Sequence, residues 1–154
     1  MSTKEETIVL SWFDDEIRAS LAQALADGDV CLCADPRELT DLLRARYPLE
    51  GDEPNWAALG QVQRIAADDL DRPGALAAFL DAWFAARDAS DDAPLVYVAC
   101  NLKNTAFELT PRALREHAEA LFGYPQNAFV FPRTDDWILH STRDDELIGG
   151  VLAE

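Results

Sequence analysis

Six consecutive apolar residues, Leu95-Val96-Tyr97-Val98-Ala99-Cys100, constrain this chain more than any other segment. With no polar position to turn toward water, the run predicts a strand covered on both faces. Such a strand needs apolar layers around it, and helical stripes elsewhere supply them. Leu76, Phe79, Leu80, Trp83 and Phe84 form the strongest stripe. Ile17, Leu21, Ala24 and Leu25 make a second, and Leu39, Leu42, Leu43 and Tyr47 a third.

Punctuation residues set the boundaries. Asp14-Asp15-Glu16 place negative charge where a helix N-terminus favours it, after a strand expected over Thr7 to Phe13. Gly28 stops the helix that follows, and Val30 to Ala34 is too brief an apolar run for another. Asp35, Pro36 and Glu38 read as N-cap, first helical residue and capping-box partner. Pro48 to Pro54 is a polar, acidic loop. Asn55 is then expected to cap a helix carrying Trp56, Leu59, Val62 and Ile65, closed by Asp68, Asp69 and Asp71 before Pro73-Gly74. Thr110 and Pro111 start a helix through Leu114, Ala118 and Leu121 that ends at Gly123. Phe129 to Phe131 and Trp137 to Leu139 flank a turn at Arg133 to Asp136, a hairpin, and Leu147 to Leu152 is a last strand. The expected fold is α/β (or α+β): one domain over residues 1–154, with a mixed β-sheet, about five helices and a C-terminal hairpin.

A chain of 154 residues buries roughly two-thirds of its unfolded surface, enough for a core without staples. Its net charge of −16 repels phosphate backbones and anionic membranes, which argues against both as partners. The same field attracts basic proteins and can raise their association rates by about 10–10³-fold. No segment reaches the ~18 apolar residues of a membrane span. Met1 to Glu6 is neither signal nor transit peptide in character. Cys31, Cys33 and Cys100 all fall in apolar runs, so buried structural thiols and a reducing, cytoplasmic setting are expected.

Chemistry-bearing motifs are sparse. There is no nucleophile elbow, phosphate-binding glycine loop or His-Glu-x-x-His. His117 sits at the edge of a helical stripe, and His140 lies beside Ser141 on the hairpin, where strand neighbours point to opposite faces. Cys31-x-Cys33 lacks the spacing and second ligand pair of a structural zinc site. No catalytic residue, metal or cofactor is therefore assigned. The acidic clusters would ordinarily be solvated loops and helix ends, but two of them adjoin a tryptophan. Aromatic residues beside carboxylates make good interface anchors for basic partners. The expected partner surface is Glu50, Asp52, Glu53, Trp56, Asp68, Asp69 and Asp71, with Asp135, Asp136 and Trp137 as a second group.

From Arg37 to Leu59 the chain resembles the barstar family, intracellular inhibitors of a bacterial ribonuclease. The matching features are the Val30 to Ala34 strand, the capped helix with Leu39-x-x-Leu42-Leu43, the Pro48 to Pro54 loop containing Gly51, and Asn55-Trp56-Ala57-Ala58-Leu59. The stripe helix before the Leu95 to Cys100 strand adds a later likeness. The family's inhibitory carboxylates fall on positions that here hold Ala57 and Gln61, so an inhibitor of this kind must use other acids. More broadly, the charge and the Asp-Asp-Trp after an aromatic strand are similar to bacterial toxin-immunity proteins. The resemblance implies a cytoplasmic immunity protein that occludes the active surface of a basic toxin, a nuclease by expectation. The rivals are a small enzyme with an unrecognised site and a regulatory protein-binding adaptor.

Overall fold

Backbone hydrogen bonding joins most of the apolar runs into one antiparallel sheet. The computed structural model describes residues 15–33, 35–50, 53–66, 69, 74–87, 89–90, 92–99, 106–123, 128–133, 136–142 and 146–152. Helical residues 15–20 lead into α1 (Ala22–Asp27), then come β1 (Val30–Leu32), α2 (Pro36–Arg46), β2 (Leu49–Glu50) and β3 (Glu53–Pro54). A single 3₁₀ turn (Trp56–Ala58) enters β4 (Leu59–Ile65), followed by α3 (Ala75–Ala86), β5 (Leu95–Ala99) and β6 (Phe107–Leu109). The chain closes with α4 (Pro111–Glu116), α5 (Ala118–Gly123), β7 (Ala128–Pro132), β8 (Trp137–Ser141) and β9 (Leu147–Leu152). Seven strands pair in the order β1-β6-β5-β7-β8-β9-β4, and every pairing among them is antiparallel. The mixed α and β content and the β7–β8 hairpin are as the sequence predicts, and the antiparallel ladder makes the fold α+β. No helix among the described residues is long and apolar enough to cross a membrane.

Strand alternation sorts the core into two layers. Leu95, Tyr97, Val130, Trp137 and Leu139 face α1, α3, α4 and α5. Val96, Val98, Phe129, Phe131 and Ile138 face α2, through Leu39, Leu43 and Tyr47. β5 is buried along its whole length, as a strand covered on both faces must be. Caps anchor the helices where the sequence places them. The Asp35 carboxylate accepts the Arg37 N–H at 3.1 Å, and the Thr110 hydroxyl accepts the Ala113 N–H at 3.2 Å. Gly28 ends α1 at φ 81, in the left-handed region that glycine enters without strain. The helix expected from Thr110 to Gly123 is two pieces that meet at His117.

Two expectations are corrected. Asn55 begins no helix: after its 3₁₀ turn the chain becomes an edge strand, paired only with β9 among the described residues. Between Gly60 and Gln63 the register slips, three residues on β4 spanning two on β9. Gln61 takes φ 51 there. One extra residue reverses side-chain parity, so Leu59 packs toward α2 while Ile65 packs toward α3. The thiols are also less buried than the apolar run suggests. Cys31 is exposed and Cys33 half-buried because β1 is the opposite edge strand, where Leu32 is 49% exposed. Cys100 and the Thr7 to Phe13 strand lie outside the described residues.

Candidate partner-binding surface

The ribbon β2–β3 is held at its base by the Asn55 N–H, which donates to the Pro48 carbonyl at 2.7 Å. Leu49 pairs with Pro54 and Glu50 with Glu53. Pro54 is buried, and Leu49 packs on the α2-side core, so the ribbon is rooted in the fold while Glu50 is exposed. The 3₁₀ turn delivers Trp56 from this ribbon onto the sheet. A Cβ on Gly150 would lie 3.0 Å from Trp56 Cζ3, so the bare backbone of β9 is the platform on which the indole rests. Trp56 remains half-exposed.

Beneath it lies a stack absent from the sequence-based expectations. His140 is fully buried, its ring 4.5 Å from Phe129 at an interplanar angle of 4°, and 6.3 Å from Trp56 at 23°. Burial pushes its pKa down to about 4, so the imidazole is neutral at physiological pH and serves as an aromatic layer under Trp56. The signal for it was a polar residue, His140, on the same strand face as Ile138, opposite the aromatic Phe129.

Asp136 lies near this surface. Tyr47 donates its hydroxyl hydrogen to the Trp137 carbonyl at 2.6 Å. Arg46, beside it, donates to the Pro132 carbonyl and pairs with Asp136 at 3.7 Å. The C-terminal end of α2 is thereby fixed to the β7–β8 hairpin, and Asp136 is exposed but partly neutralised. The Asp136 carbonyl accepts the Leu152 N–H, next to Gly150 and hence to Trp56.

The structure therefore brings Glu50, Trp56 and Asp136 to the α2 side, with Glu53 set opposite Glu50 by backbone pairing, and it separates the others. Trp137 is 3% exposed, its ring edge-on to Trp83 and Phe84. It is a core residue on the opposite face and offers no anchor to a partner. Asp69 lies beyond the far end of β4 from Trp56. There it lines a groove of about 640 Å³ with Gln63, Arg64, Ile65 and Phe79, on the α3 side. The shared helix that would have joined Asp69 to Trp56 does not exist. Asp52, Asp68, Asp71 and Asp135 lie outside the described residues. Among the described residues no group of three His, Cys, Asp or Glu side chains is gathered for a metal ion. No protein-family model matches the chain, and no curated protein matches it.

Proposed function

We propose that this chain is a cytoplasmic immunity protein that binds a basic toxin, a nuclease by class, and neutralises it by covering its active surface. The observation that carries the proposal is Trp56: a half-exposed indole seated on Gly150 and His140 beside an acidic ribbon, in a chain of net charge −16. Interface hot spots are enriched in tryptophan held in place before binding, since less conformational freedom is then lost on association. The exposed Glu50, in a chain of net charge −16, supplies charge that guides a basic surface to that anchor. A standard interface of about 1,600 Å² accommodates the ribbon, the 3₁₀ turn and the end of the β7–β8 hairpin together.

The functional test mixes the purified chain with the product of the adjacent upstream open reading frame and follows nucleic-acid cleavage. Loss of cleavage at one-to-one stoichiometry supports the proposal. Full cleavage in the presence of excess chain contradicts it.

A further inference from the structure

Side chains at every fourth position of α3 form a column. Arg87, just past the C-terminal end, lies over the Trp83 ring, its guanidinium carbon 3.5 Å from the centroid. Trp83 in turn lies parallel to Phe79, with centroids 6.3 Å apart and an interplanar angle of 7°. Helical side chains lean toward the N-terminus, so each member of the column covers the turn before its own. The next position is Ala75, the first residue of α3, whose methyl group is too short to continue the stack. The groove of about 640 Å³ opens at this point, lined by Ala75, Ala78 and the half-buried Phe79. Trp83 fixes the plane of the Phe79 ring, and among the described residues no cation lies over that ring.

Charge around the groove sets the sign of its occupant. Asp69 is the only carboxylate among the described lining residues, and the lining Arg64 is paired with Glu146 at 3.5 Å. The net charge of −16 favours a cation and opposes a second copy of the chain. We propose that the groove receives an arginine side chain from a partner protein, its guanidinium laid on Phe79 and paired with Asp69. A planar guanidinium stacks on a ring face, as Arg87 does on Trp83, whereas a lysine ammonium is compact and strongly hydrated. The volume leaves room for the residues that flank such an arginine. An arginine within a chain also lacks the free carboxylate that an acidic protein repels. The groove is on the α3 side of the sheet, across from Trp56, so the assignment does not rest on the proposed immunity function.

The probe is an acetylated and amidated Gly-Ser-Arg-Ser-Gly peptide, titrated into the full chain and followed by ¹H–¹⁵N NMR. Saturable shifts are expected at Gln63, Ala75, Ala78 and Phe79, with the Trp56 indole unmoved. Citrulline in place of the peptide's arginine keeps the plane and loses the charge, and should weaken binding about fivefold or more. Lysine keeps the charge and loses the plane, and should also bind more weakly. Ala75→Leu fills the space over Phe79 from the exposed start of α3 and should abolish the response, while Asp69→Asn should weaken it. Circular dichroism confirms that each variant is folded. Absence of a saturable shift at the groove would overturn the proposal, and so would equal affinities for the arginine and citrulline peptides. Undiminished binding by folded Ala75→Leu would do the same. Free L-arginine that binds as tightly as the peptide would overturn the assignment to a partner protein.

Discussion

His140 shows how packing sets the role of a polar residue on a strand. Phe129 and Trp56 enclose its ring, and burial keeps it neutral. Its folded-state pKa of about 4 lies below the ordinary 6.5, so the unfolded chain takes up this proton first. Stability from the neutral stack is complete above about pH 6.5 and is lost as pH falls toward 4, by on the order of 3 kcal/mol. His140→Phe should keep the stack and remove that slope. Urea melts of both proteins from pH 7 to pH 4 measure it, and parallel curves would refute the assignment. Gly149 is a second case. A Cβ there would lie 2.5 Å from the Trp83 ring, whereas at Gly60 the nearest atom is 3.9 Å away. Gly149→Ala should cost about 1–3 kcal/mol by overpacking, and Gly60→Ala should cost far less. Glycine inside a strand pattern signals close approach, but only the fold reveals that the Gly149-Gly150 pair separates Trp83 from Trp56.

At the level of elements, the sequence was legible where local chemistry and long-range packing agree. Capped helices, the doubly buried β5 and the β7–β8 hairpin all satisfy both. Asp35→Ala should therefore cost about 1 kcal/mol, read as a lower urea midpoint at unchanged slope. β4 was illegible because its residues satisfy a helical period. Trp56, Leu59, Val62 and Ile65 recur at intervals of three among good helix formers. The ladder with β9 prevails instead, and the bulge at Gln61 sends Leu59 and Ile65 to opposite faces while Val62 is 41% exposed. A parity change made by one inserted residue leaves no periodic trace. Edge position is equally invisible in sequence, and it matters for the thiols. Cys31 on β1 should react with a thiol reagent in the native protein without unfolding, and faster than the half-buried Cys33. Mass spectrometry of labelled peptides gives the order, and slow labelling of both would contradict the exposed edge.

For the molecule as a whole, charge and architecture act together. Arg18, Arg46, Arg64, Arg112, Arg115 and Arg133 each lie within ion-pair distance of a carboxylate, so much of the limited positive charge is already engaged internally. What extends into solvent is predominantly acidic. The sheet places α2 and the ribbon in one layer and the remaining helices in the other, which gives the acidic ribbon and Trp56 a rigid common base. Charge alone predicted a basic partner. The position of Trp56 is what narrows the proposed contact surface to one layer, because the helix expected to extend it to Asp69 is a strand.

The most direct measurement is the kinetics of Trp56→Ala and of Glu50→Lys with Glu53→Lys, by surface plasmon resonance against the product of the adjacent upstream open reading frame at low and high salt. Circular dichroism melts confirm folding of each variant, and Trp56→Phe controls for packing on Gly150. Loss of the anchor should cost about 2 kcal/mol or more, and so speed dissociation by about 30-fold with little change in association. The charge reversals should slow association most at low salt, where screening is weakest, and leave dissociation nearly unchanged. Wild-type kinetics from every folded variant would contradict the account and remove Trp56 and the ribbon from the interface.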